Sequence, residues 1–137
     1  MIVVLRAVVA LLCCGGLYTA QHMYRKSRSA ERGELVESSI VEEPDARLYF
    51  GQPNALFGCF YFPLVLAAVL LYALLASRGA DVAFVVRWLV LTALTAATAT
   101  SIFLAYRLVV TKRECPWCWT SHLVNVLLCV TVPWTVF

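Results

Sequence analysis

Two cysteines two residues apart, in Cys115-Pro116-Trp117-Cys118-Trp119, are the residues whose types and spacing most directly permit chemistry. A thiol pair at this spacing can close a disulfide within one helical turn. One thiol in such motifs often has a lowered pKa, so it can attack, or be attacked by, another disulfide or an oxidant. The other reading of Cys-x-x-Cys is half of a zinc site. That reading needs a second ligand pair, and the sequence holds no second Cys-x-x-Cys and no His-x-x-x-His. Cys115, Cys118 and His122 would supply three ligands, too few for a closed structural site.

The elements that position this pair are set by composition. Of 137 residues, 62% are hydrophobic and only 14% charged, and the mean hydropathy is +0.82. Soluble domains carry about 25% charged residues, so the chain reads as an integral membrane protein. The net charge of +3 and the lack of a basic stripe with interleaved aromatics give no sign of nucleic-acid binding. Of the six cysteines, Cys13, Cys14 and Cys129 lie inside apolar runs and read as small residues facing lipid or core. This is not the pattern of a secreted disulfide scaffold.

Hydropathy predicts an all-α membrane protein, a four-transmembrane-helix bundle in a single domain spanning 1–137. Its helices are expected at about 2–20, 55–76, 82–106 and 117–137, with a polar loop over 21–53. About 20 apolar residues cross a bilayer, and irregular backbone cannot face lipid. The first stretch lacks the leading charged region of a signal peptide, and Cys13-Cys14-Gly15-Gly16 is a poor cleavage site. It therefore reads as a first span, with Arg6 near enough to its end to snorkel. The loop reads as solvated with a short amphipathic helix, and Leu48-Tyr49-Phe50-Gly51 suits the membrane surface. Pro63 should kink the second helix. Residues 77–81 make a hairpin turn into the third helix, whose run of small residues from Ala93 to Ser101 admits a close neighbour.

Alternating helix directions put the 21–53 loop and the Cys pair on one side of the membrane. Near the pair should then lie Asn54 and Phe57 at the start of the second helix, with Cys59 and Phe60 about a turn deeper. His122 lies one helical turn beyond Cys118 on the same face, and Asn125 follows at the next turn. A redox pair, aromatic walls and a few hydrogen-bond donors around an apolar space suit a flat, lipid-soluble ligand with carbonyl groups, such as a quinone. Asn54 could donate to one carbonyl and His122 to the other. Each residue has a plainer reading too. Asn54 suits a helix cap, Phe57, Phe60, Tyr61 and Phe62 an interfacial belt, and Asn125 an interhelical tie. A histidine inside a membrane span is costly unless it has work to do.

With these residues in place, the chain resembles the vitamin K epoxide reductase family. The match is carried by Asn54-Ala55-Leu56-Phe57-Gly58-Cys59-Phe60-Tyr61, by Ser101-Ile102-Phe103-Leu104-Ala105-Tyr106, and by Cys115-Pro116-Trp117-Cys118 with Thr120 and Asn125 after it. The resemblance implies a membrane four-helix bundle around a quinone of the vitamin K, menaquinone or ubiquinone type. Cys118 would face the quinone and Cys115 would be its resolving partner. Asn54 would bond a carbonyl, Phe57 would pack on the ring, and Cys59, Phe60, His122 and Asn125 would complete the wall. Electrons would come from a protein thiol, typically a thioredoxin-like one, or from a small-molecule thiol, and pass through the pair to the quinone.

Two departures stand out. Family members usually carry two further cysteines in the first loop as a relay, and 21–53 has none; Ala30 and Ser38 stand roughly where they would be. His122 stands where the vertebrate enzymes have a tyrosine, which bears on quinone preference and on the proton's route. A non-catalytic quinone- or partner-binding relative is therefore a second reading. For orientation, the loop side holds Arg25, Lys26, Arg28, Arg32, Arg47, Arg107, Lys112 and Arg113 against Arg6, Arg78 and Arg87 on the other. The positive-inside rule would put the pair in the cytoplasm, whereas disulfide chemistry favours the oxidising side. With the resemblance, the expectation is the oxidising side of a bacterial inner membrane or the endoplasmic reticulum.

Overall fold

The computed structural model describes residues 1–34, 40–42, 44–47, 50–76, 81–112 and 114–136. Every regular element among them is helical: α1 (Ile2–Glu31), α2 (Asn54–Ala76), α3 (Val82–Val110), α4 (Pro116–Thr131) and α5 (Pro133–Val136), with single 3-10 turns at Ile40–Glu42 and Pro44–Arg47. Four spans are long and apolar enough to cross a membrane: α1, α2, α3 and the run Pro116–Val136 made by α4 and α5. The break before α5 falls at Pro133, which has no N–H to give to the helix ladder. Pro63 sits inside α2.

The largest difference from the expected boundaries is α1. It continues past Ala20 to Glu31, about 45 Å of helix against a hydrocarbon core of about 30 Å. Residues 21–31 contain no Gly or Pro, and Arg28 and Glu31 pair one turn apart at 2.8 Å. The helix stops at Gly33, which takes a φ of 68°. There Gly33 N–H donates to Ala30 O and Glu34 N–H to Ser29 O, both at 3.0 Å, a glycine-terminated Schellman end. Beyond it, Arg32 bonds Glu34 through two nitrogens at 2.8 Å and holds that carboxyl below its ordinary value.

Arg47 ties the connection down. It donates to Glu31 at 2.7 Å and to Gly51 O at 3.1 Å. Phe50, at a φ of 51°, and Gly51, at 70°, make the bend before α2, and Phe50 is 93% exposed. Leu48 and Tyr49, the other residues expected at the membrane surface, lie outside the described residues, as do 77–80 of the hairpin turn, Arg113 and Ser38.

The core runs down the bundle axis through Val9 and Cys13 of α1, Phe62, Val65 and Val69 of α2, Val90 and Leu94 of α3, and Val124 and Leu128 of α4. Cys14 is exposed on the outer surface. α1 and α2 approach closely at two glycines. A Cβ on Gly16 would clash with the ring of Phe62, and one on Gly58 would meet Ala20 Cβ at 2.9 Å. Gly15 has open space at the same test. Gly16→Leu should therefore lower the thermal midpoint in detergent by an amount corresponding to about 1–3 kcal/mol of overpacking, while Gly15→Leu should leave it near the parent value.

Candidate functional site

The site is built on the first turn of α4. Cys115 is its N-cap, in extended conformation, and Pro116 fills the first helical position, where its missing N–H would have had no partner. Cys118 N–H donates to Cys115 Sγ at 3.2 Å. The two cysteines are joined as a disulfide with Cα atoms 5.2 Å apart. They differ in access: Cys115 is 7% exposed, whereas Cys118 is half-buried.

Trp117, between them, packs on α1. Its ring lies 4.2 Å from that of His22 at 26° and 5.8 Å from that of Tyr18 at 57°. Tyr18 and His22 are one helical turn apart, so a single face of α1 receives the indole. Sequence reading missed both partners, because nothing local says which tertiary neighbour that face meets. Trp119 is 45% exposed. Trp117→Ala should thus destabilise more than Trp119→Ala, by about 1 kcal/mol for the lost ring contacts, a difference that paired thermal melts would resolve.

Behind the pair lies a cavity of about 580 Å³. Thr19, Ala20 and Met23 line it from α1, Asn54, Phe57 and Tyr61 from α2, Ala97, Ser101, Leu104 and Arg107 from α3, and Cys118, Ser121, His122 and Asn125 from α4. Thr111, in the exposed turn after α3, is also on the wall, so the cavity reaches the end of the bundle that faces water.

Of the residues expected at the site, Asn54, Phe57, Cys118, His122 and Asn125 share this wall. Cys115 sits behind Cys118. Cys59 and Phe60 are not brought to it. The cavity face of α2 repeats as Asn54, Phe57 with Gly58, and Tyr61, a helical period. Cys59 turns to the core cluster, and Phe60 is 69% exposed on the outer face. The same period, read along α2, would have picked out Tyr61.

Asn125 ties helices and lines the wall at once. Its Nδ2 donates to Ser101 Oγ at 2.7 Å and to Ala97 O at 3.2 Å. A backbone carbonyl only accepts, which fixes the amide with its nitrogen toward α3. The small residues of α3 admit this approach. Two of their hydroxyls bond back into the helix, Thr95 Oγ1 to Leu91 O at 2.8 Å and Thr100 Oγ1 to Ala96 O at 3.1 Å.

A disulfide whose half-buried sulfur residue opens on an apolar cavity with amide and imidazole groups can exchange electrons with a flat carbonyl compound held there. Among the described residues, no group of three His, Cys, Asp or Glu could hold a metal ion. The family model for vitamin K epoxide reductase matches residues 1–132. The chain belongs to the vitamin K epoxide reductase family. The family implies a redox function in the membrane with a quinone. No curated protein and no solved structure matches the chain. For a vitamin K epoxide reductase family member, the cavity fits its ligand class. Its volume lies within the ~300–1,000 Å³ of small-molecule sites, and its walls are mainly apolar with a few polar groups.

Proposed function

We propose that this protein is a quinone-coupled thiol–disulfide oxidoreductase, passing two electrons from a thiol donor through Cys115 and Cys118 to a quinone in the cavity. The observation that carries this reading is that Cys118, one half of the disulfide, shares a wall with Asn54 and His122. The quinone head is of the vitamin K, menaquinone or ubiquinone type, and the donor is a thioredoxin-like protein or a small thiol.

The roles follow from placement. In the reduced pair, Cys118 thiolate faces the quinone ring and bonds to it. Cys115 thiolate then bonds Cys118 sulfur, the bond from Cys118 to the ring breaks with its electron pair left on the quinone, which becomes the quinol on taking up two protons, and the disulfide is re-formed. Asn54 and His122 donate to the carbonyl oxygens, where negative charge grows as electrons arrive. His122 also has the chemistry to hand a proton to an oxygen near neutral pH. Phe57 packs on the ring. Asn125 holds α4 to α3, which keeps Cys118 and His122 at a fixed distance from the α3 wall. The pair works on the oxidising side of a bacterial inner membrane or the endoplasmic reticulum.

A second reading, a quinone- or partner-binding relative without turnover, is favoured by one feature: residues 15–58 contain no cysteine, so the usual loop relay has no thiols. Alkylation of Cys115 and Cys118 in membranes, read by mass, separates the two. After full reduction, added quinone should convert both thiols to disulfide, and no conversion should occur without it. A pair that ignores every quinone offered would leave only the binding role.

A further inference from the structure

Resting on the quinone-coupled reading, we infer that the thiol donor and the quinone use the same cavity and the same sulfur, that of Cys118, in turn, and that the donor is a low-molecular-weight thiol. Disulfide exchange needs the attacking thiolate to reach one sulfur in line with the S–S bond, so access selects the sulfur. Cys115 is 7% exposed and does not line the cavity. Cys118 is half-buried and does. A folded protein carrying its reactive thiol on a convex surface meets Cys115 covered and Cys118 recessed.

No internal thiol bridges that gap. The other cysteines are Cys13, Cys14, Cys59 and Cys129; none of them lines the cavity, and none lies between Gly15 and Gly58. The cavity itself reaches water at Thr111, one turn beyond Arg107. Its volume of about 580 Å³ admits a small thiol.

The leaving group is prepared. Cys115 Sγ caps α4 and accepts Cys118 N–H at 3.2 Å, and a helix N-terminus stabilises a thiolate. The first donor thiolate bonds Cys118 Sγ, the S–S bond breaks, and Cys115 leaves as thiolate. A second donor thiolate bonds the donor sulfur of that mixed disulfide and releases Cys118 thiolate. The donor is oxidised to its own disulfide and the pair is reduced by two electrons. The two protons of the donor thiols match the two that a quinone takes up on becoming a quinol. Because both substrates enter one cavity, each should exclude the other.

The test isolates the first half-reaction. The full-length protein in nanodiscs, with the pair oxidised and no quinone present, is mixed under argon with glutathione or with a reduced thioredoxin, and the pair is read by alkylation and mass. Glutathione should reduce it. The dimethyl ether of a naphthoquinol, which cannot be converted to a quinone by simple electron loss, should slow that reduction by about tenfold or more through loss of access. Ala97→Trp, which fills the cavity from α3, should slow it similarly. Thioredoxin reducing the pair as fast with the ether present as without it would overturn the inference, as would glutathione reduction that neither blocker slows. Oxidation of a phosphine-reduced pair by quinone, measured separately, decides the quinone-coupled reading on its own.

Discussion

Cys118→Ser is expected to reduce thiol-dependent quinone reduction in proteoliposomes to background, a loss of about a thousandfold or more, because groups that act as a unit fail together. A serine hydroxyl has the shape of the thiol but cannot form the disulfide that stores the electron pair. Cys115→Ser should stop turnover as completely, and the double variant should be no worse than either single one. The two singles should still differ in one respect. In Cys115→Ser the remaining thiol lies on the cavity wall, so a bound quinone analogue should protect it from a bulky maleimide. In Cys118→Ser the remaining thiol is buried behind the wall and should label slowly with or without the analogue. Cys14→Ala, on the outer face of α1, should behave as the parent. Substantial activity surviving in Cys118→Ser would mean that the pair is not the electron carrier.

Much of this arrangement was legible in the sequence, and the reasons it was legible also mark where reading stopped. Long apolar runs must be helical in a bilayer, so four spans and their alternation followed from hydropathy. The end of α1 did not, because hydropathy reports where the membrane stops and not where the helix stops. The stop signal was present in Gly33, a left-handed position after a run free of Gly and Pro, but it lay in a stretch too polar to be read as part of a span. At the site, spacing alone put His122 and Asn125 on the face of Cys118, and the structure places all three on one wall. On α2 the reading went by depth along the helix instead of by face, and so took Cys59 and Phe60, about a turn deeper, together with Asn54 and Phe57. A helix presents every third or fourth residue to a cavity, which removes Cys59 and Phe60 and adds Tyr61. The packing of Trp117 on Tyr18 and His22 had no sequence signal, because it joins residues about a hundred positions apart through helix rotation alone.

Asn54 and His122 allow a sharper test than the cysteines, since changing them leaves the disulfide in place. Asn54 begins α2, so a substitution could act through the helix start instead of through the cavity. Asn54→Asp separates the two effects. Aspartate suits the first turn of a helix, where its charge is favourable, but it offers an acceptor where the reaction needs a donor. If Asn54 donates to a carbonyl oxygen that becomes negative, Asn54→Asp should lower kcat by about a hundredfold, the scale of losing one preorganised donor. KM should change less, because the contact strengthens as charge develops. Asn54→Leu should lose a similar factor without adding charge repulsion, and should also show the weaker helix start as a lower thermal midpoint. At the other carbonyl, His122→Phe should lose a comparable factor, whereas His122→Tyr keeps a donor on the same face and should retain most of the rate while shifting preference among quinones. Parent-like kcat in Asn54→Asp would reduce Asn54 to a residue of the helix start, and equal rates in His122→Phe and His122→Tyr would remove His122 from the reaction.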